Sequence, residues 1–317
     1  MWSLRRMERY NSFSSYLRKV FGERVHRITV DAGFTCPTRD GTVGTGGCIY
    51  CYEGSSYDPL KKSLTVEEQI EKGMENLRRR YGAGKFIVYF QAYTGTYAPV
   101  EVLQSLYEKV RLFRDVVGIT VGTRPDCISM DVLRLINSYT EDYMVWIEYG
   151  LQSAHFASLR WMKRGHGVSD FVSAVLKTRL FPRINICAHV ILAIPVEGIE
   201  DMLETADILA ALKVDGVKLH PLHVVRGTPL EQLFEKEPFL LPTEEEYARM
   251  VVKFLERLPP EVVVQRLTGE APESLLVAPS WCSYRHKHKV LNLIRRTFEE
   301  LDTYQGRAYR FGYQSLR

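Results

Sequence analysis

Residues 36–51 read Cys36-Pro-Thr-Arg-Asp-Gly-Thr-Val-Gly-Thr-Gly-Gly-Cys48-Ile-Tyr-Cys51, placing three of the chain's six cysteines within sixteen residues, two of them as a C-x2-C pair. The spacer is rich in glycine, which can turn where other residues cannot. Thiolates at short local spacing suit a zinc ion or an iron–sulfur centre. A structural zinc site wants a fourth Cys or His at comparable spacing, and His26 and His155 are the nearest histidines on either side. The incomplete set points to a centre with one open position: an iron–sulfur cluster with one iron free, or a catalytic zinc. A disulfide needs an oxidising compartment, and no sequence feature indicates one.

Outward from this loop, which lies in the stretch Asp31–Asp58, the chain alternates strand and helix signals. Arg24–Asp31 reads as a first strand ending at the cysteines, after a leading helix on the pattern Tyr10, Phe13, Leu17, Val20. Thr65-Val-Glu-Glu68 is a capping box, and Val66, Ile70, Met74, Leu77 and Tyr81 make one helical face closed by Gly82 and Gly84. Apolar runs predict strands over Lys85–Gln91, Val116–Gly122, Tyr143–Leu151, Ile184–Ile194 and Val214–Leu222, with a last one over Glu261–Leu267. Helices are expected after Pro99 (Leu103, Leu106, Val110 and Phe113 inward) and over Ser129–Ile136, Ser169–Arg179 and Glu200–Leu212; a loop then runs to Pro242, before a second capping box at Thr243 and Glu246.

Buried strands each followed by a helix define parallel α/β architecture, as a doubly wound sheet or a barrel. Polar motifs at successive strand C-terminal ends favour the barrel, whose active sites are built there. At 317 residues the chain suits one large domain or a barrel with a small appendage. Hydrophobic content of 45% against 25% charge is that of a water-soluble globular protein. No apolar run approaches the ~20 residues that span a bilayer, and Met1–Phe21 lacks a signal-peptide core, so the expectation is a cytoplasmic protein with no membrane partner. The net charge of +4 is concentrated at the end: residues 285–317 carry eight Lys/Arg against Glu299, Glu300 and Asp302, interleaved with aromatics such as Tyr284, Tyr304 and Tyr313. Such a tail either grips phosphates and bases or is a solvated amphipathic helix.

The three cysteines after a first strand, the last two flanking Tyr50, resemble the cluster motif of radical S-adenosylmethionine (SAM) enzymes. Eleven residues separate Cys36 from Cys48 where the usual motif has three, a spacing similar to that of the YhcC-like branch and near that of the Elongator catalytic subunit. The resemblance implies an open (β/α)6 partial TIM barrel over residues 24–260, preceded by a helix over 1–23 and followed by a C-terminal extension over 261–317. It implies a 4Fe-4S cluster on Cys36, Cys48 and Cys51, with SAM on the fourth iron and reductive cleavage to a 5′-deoxyadenosyl radical. An external electron donor of flavodoxin or ferredoxin type follows.

Segments after later strands carry the resemblance on. Gln91 and Thr94 stand where the family has a Gly-Gly-Glu segment that holds the SAM amino group; as bare residues they make an ordinary turn. Glu148-Tyr-Gly-Leu-Gln152-Ser153 resembles the family's Glu-x-Gly-x-Gln-Ser, and an acid in an apolar strand is costly unless paired. Glu148, Gln152 and Ser153 are therefore expected SAM contacts, with Arg164 at the carboxylate and His166 a loop residue. Pro195 and Glu197 match the adenine segment, where Ala193 and Val196 replace its glycines. Arg124 and Asp126 either position a ligand or pair with each other, and His189 reads as a hydrogen-bonded core residue. Lys218 and His220 alternate onto one strand face and, with His223, are candidates for proton transfer or substrate contact; Arg226 is a candidate for a phosphate. Cys127 and Cys282 read as buried structural thiols.

The relatives suggest tRNA as partner and the C5 side chain of the wobble uridine as target. Radical chemistry on a small metabolite or peptide is the enzymatic alternative; a zinc-stabilised RNA-binding protein is the non-enzymatic one.

Overall fold

The computed structural model describes residues 8–52 and 63–311; Asp58, the first seven residues and the tail beyond Phe311, with Tyr313 and Arg317, lie outside the described residues. In chain order the elements are α1 (Phe13–Phe21), β1 (Val25–Val30), α2 (Val66–Tyr81), β2 (Lys85–Phe90), α3 (Val100–Tyr107), β3 (Val116–Thr123), α4 (Met130–Ser138), β4 (Met144–Gln152), α5 (Phe156–Trp161), α6 (Val168–Thr178) and β5 (Ile184–Leu192). Then come α7 (Ile199–Ala211), β6 (Gly216–Pro221), β7 (Val224–Val225), α8 (Pro229–Lys236), α9 (Glu244–Arg257), β8 (Val263–Arg266), β9 (Leu276–Ala278) and α10 (Lys287–Glu300).

The residues group into two compact units. One comprises Leu17–Gln152 and Leu159–His189, the other the described parts of Met1–Tyr16, Ser153–Ser158 and Val190–Arg317. In the first unit β1 to β5 lie side by side in sequence order, with Val25 facing Lys85 and Gly118 facing Met144 in parallel pairs. In the second, the end of β5 is followed by β6 and then β8, which pair in parallel from Gly216 and Val263. β1 and β8 stand at the two ends of the strand order, Ser12 bridges Val264 of β8 in parallel, and each of β1–β5 is followed by a helix, with β7 coming between β6 and α8. This is the expected class: an open (β/α)6 sheet of partial TIM-barrel type with a C-terminal extension.

Burial on both faces explains the strand sequences. β2 is buried at all but its first residue, as is β4, so neither alternates in hydrophobicity. The helices behave as their caps dictate. Thr65 accepts from the Glu68 N–H and the Glu68 side chain returns a bond to the Thr65 N–H, fixing the start of α2. The buried Gln69 of α2 brackets the exit of β1: its Oε1 accepts from the Asp31 N–H at 2.8 Å and its Nε2 donates to the Asp31 carbonyl at 2.8 Å.

Several expectations change: α1 begins only at Phe13, and Val20 and Tyr81, expected on apolar helix faces, are exposed. The helix after Pro99 stops at Tyr107 and tightens into a 3-10 turn over Glu108–Leu112; Leu103 and Val110 are buried, and Leu106 and Phe113 are only half-buried. The stretch before Pro242 is not a continuous loop. It holds β7, antiparallel to β9, and α8, whose cap Thr228 accepts from the Glu231 N–H while Pro229 occupies the first turn.

Candidate active site

The loop after β1 is compact. The Arg39 and Asp40 N–H groups donate to the Cys36 carbonyl at 2.8 and 3.2 Å, and the Cys51 N–H to the Cys48 carbonyl at 3.0 Å, so each end of the motif is a tight turn. Between them the spacer folds back as a small hairpin: Asp40 and Thr45 form an antiparallel bridge, Val43 and Gly44 both donate to Pro37 O, and Gly47 donates to Thr38 O. The Ile49 N–H donates to Met162 O, tying the C-x2-C turn to the chain beyond α5.

All six cysteines are free thiols. Cys48 is buried, while Cys36 and Cys51 are half-buried. Burial pushes the Cys36 thiol up, but hydrogen bonding with Thr38 and the charge of Arg124 act against it, and its pKa is lowered, which favours the metal-binding thiolate. Burial and Asp126 push Cys127 up to about 12, a poor ligand. Burial likewise raises Cys282, whose thiol is only 1% exposed.

Among the described residues, the group of three whose ligand atoms lie within 4.8 Å of one another is Glu148, Cys187 and His189, and the loop cysteines do not form such a group.

Arginines surround the loop. Arg39 Nη2 donates to the Cys51 carbonyl at 3.0 Å and lies 3.3 Å from its Sγ. Arg164, 6% exposed, has a partner on each nitrogen: Nε donates to His166 Nε2 at 3.1 Å, Nη1 reaches Cys48 Sγ and the Tyr50 hydroxyl at 3.3 Å, and Nη2 donates to Gly150 O at 2.7 Å. Arg124 forks onto Asp126 at 3.0 and 2.8 Å, the pairing that was one of its two expected roles, yet its buried Nη1 meets no hydrogen-bond partner.

The expected cofactor residues of this unit sit at strand ends beside the loop. Gln91 follows β2, with its N–H on Val30 O at 3.4 Å; Thr94 is fully buried and donates its N–H to Thr35 O. Gln152 ends β4 with a φ of +73°, and its buried Oε1 has no partner. Tyr93, Gln152 and Ala193, at or shortly after the ends of β2, β4 and β5, all have positive φ, a conformation that costs non-glycine residues energy and gathers at functional sites. Orphaned buried atoms at Arg124 and Gln152 fit a polar ligand at this end of the sheet.

Glu148 is paired inside the protein. The Tyr89 hydroxyl donates to it at 2.5 Å, His189 Nε2 lies at 2.7 Å, and Arg27 Nη1 at 3.6 Å. His189 is therefore hydrogen-bonded, as a core histidine should be. Arg27 and Tyr89 escaped sequence reasoning; the only signal was polar residues within apolar strands.

In the other unit, Ser153 donates to the Glu197 carboxylate and accepts from the His155 N–H at 3.0 Å. Burial raises the Glu197 pKa against those hydrogen bonds. Pro195 lies in the turn closed by the Glu197 N–H on Ile194 O at 2.9 Å. Lys218 is 3% exposed on β6, and His220 is half-buried two residues on. Burial lowers the His223 pKa, and its Nδ1 lies 3.2 Å from Pro221 O. Arg226 is exposed.

An open parallel sheet with a three-cysteine loop after its first strand defines a class. A profile of the Radical SAM superfamily matches residues 41–209, more than half of the chain, and one of the Radical_SAM C-terminal domain matches residues 214–300. The chain belongs to the radical SAM superfamily and is an enzyme of that class. It is 37% identical over 303 residues to YtqA of Bacillus subtilis, covering 95% of this chain and 93% of that protein. It is 38% identical over 278 residues to YhcC of Escherichia coli K12, covering 87% and 88%. The archaeal Elp3 of Methanocaldococcus infernus has the same fold, with a TM-score of 0.66 at 19% identity over 89% of this chain and 64% of that one. These relatives place the chain in a branch related to YhcC and Elp3. Among the described residues no helix is long and apolar enough to cross a membrane.

Proposed function

We propose that Cys36, Cys48 and Cys51 hold a 4Fe-4S cluster and that the enzyme acts on the C5 side chain of a tRNA wobble uridine. The observation that carries the reading is the loop itself: three free cysteines on two tight turns, two of them with a guanidinium group at 3.3 Å from the sulfur. When bound, the cluster and SAM would supply a 5′-deoxyadenosyl radical. Gln91, Thr94, Glu148, Gln152, Ser153, Arg164 and Pro195 form the SAM-binding set, in which Glu148 and Arg164 act through the neighbours they already hold. Lys218, His220 and His223 hold or move protons at the substrate. Residues 24–260 are the catalytic barrel and 261–317 its extension.

The likeness to Elp3 and the basic end of the chain support a nucleic-acid substrate. On and around α10, Arg285 and Arg296 are exposed, each resting on a surface carboxylate, Glu273 and Glu300. Exposed ion pairs contribute at most about 1 kcal/mol, so phosphates can displace these partners. Tyr284, Tyr304 and Phe311 are exposed among them.

Anaerobic reconstitution tests the centre: about four irons and four sulfides per chain, with SAM cleaved under dithionite. One zinc per chain and no SAM cleavage would refute it. Nucleosides of tRNA from cells with and without the gene test the substrate, and unchanged wobble uridines would exclude it.

A further inference from the structure

We infer that Arg39 and Arg164 set the reduction potential of the centre held by the loop, each through an N–H···S contact to a different cysteine. The inference rests on the cluster reading above. Its own basis is the placement of two guanidinium groups at the same distance, 3.3 Å, from Cys51 Sγ and Cys48 Sγ. Neither contact is incidental. Arg39 is delivered by the spacer, fixed on the Cys51 carbonyl and laid over the Tyr93 ring at 5.4 Å. Gly47 leaves the slot it occupies: a Cβ there would lie 3.1 Å from Arg39 Nε, and the φ of +82° disfavours any other residue. Arg164 is held on Gly150 O and His166 and is buried, so its charge is weakly screened.

Potentials of iron–sulfur centres follow net charge, hydrogen bonds to sulfur and solvent exposure. Reduction adds one electron from the external donor, of flavodoxin or ferredoxin type, with no bond made or broken at the protein. A guanidinium is protonated at all accessible pH values, so it stabilises the electron-rich state without taking up a proton. Two such charges raise the potential and leave it independent of pH. The eleven-residue spacer thereby acquires a function of its own, since it carries the cation for Cys51.

The test is a potentiometric titration of the reconstituted full-length protein, followed by the electron paramagnetic resonance signal of the reduced cluster. Arg39→Gln, Arg39→Lys and Arg164→Gln are compared with the parent at equal iron content. At the potential where the parent is half reduced, each Gln variant is expected to be about one-tenth reduced or less; a tenfold change in ratio is 59 mV for one electron. Arg39→Lys should keep most of the parent value. Fully loaded variants with the parent midpoint overturn the inference, as does failure of both Gln variants to take up iron, which would make the arginines loop anchors only. A parent chain that takes up no iron instead refutes the cluster reading.

Discussion

The Tyr89 hydroxyl on β2 donates to the Glu148 carboxylate on β4 at 2.5 Å, reaching across β3. It can do so because Glu148 stands in register with Gly122, and a Cβ at that position would lie 3.3 Å from the hydroxyl. Tyr89→Phe removes a buried bond to a charged acceptor and should cost about 1.5–3 kcal/mol in urea unfolding. Gly122→Ala should destabilise by crowding the same contact. Parent-like stability in both would show that Glu148 does not depend on this bridge.

Gln69 is the only side chain bonding both the N–H and the carbonyl of Asp31 in the described structure. Gln69→Ala should cost about 1–2 kcal/mol, because half-buried backbone groups lose two hydrogen bonds. Since Asp31 opens the cysteine loop, iron retained after chelator challenge should fall as well. Retention equal to the parent would separate the loop from α2.

His166 offers a test by pH. Burial and the charges of Arg164 and Arg124 push its pKa down to about 3 from the ordinary 6.5. Between those values the unfolded chain binds the proton and the folded one does not, so stability drops as pH falls from about 6.5 toward 3, by up to ~1.4 kcal/mol per pH unit. His166→Gln keeps an acceptor for Arg164 and should narrow the stability difference between pH 7 and pH 5. An unchanged difference would locate the acid sensitivity elsewhere.

Thr228 caps α8 while its hydroxyl donates to Val225 O at 2.7 Å, and it is 1% exposed. Thr228→Ala should cost roughly 1–2 kcal/mol and Thr228→Ser should restore most of it, as unfolding midpoints would report. Equal stability of the Ala variant would mean that α8 does not need its cap.

The alternation of strands and helices was legible because the central strands β2, β3 and β4 are buried along nearly their whole length and most helices carry a cap or a periodic apolar face. The α8 segment was passed over although Thr228-Pro-Leu-Glu231 has the cap and first-turn residues of a helix start; neighbouring prolines and the short element obscured it. β9 is three residues long, too short for any period to show. The division of β5 between two units has no local signature, since it depends on which residues pack together. The cysteines announced themselves by spacing, whereas Arg39 and Arg164 acquire meaning only from where the folded backbone carries their side chains. Ala193 marks the reverse case: it stands in place of a glycine, yet its φ of +64° keeps the left-handed turn that a glycine would make.

The hairpin between Cys36 and Cys48 separates distance along the chain from distance in space. Its two arms leave and return at Pro37–Thr38 and Gly44–Gly47, so residues can be gained or lost at the tip without moving either thiol. The entropy of closing such a loop grows only as the logarithm of its length, making these changes thermodynamically gentle. The interval between Cys36 and Cys48 therefore measures the length of a hairpin rather than the distance it spans.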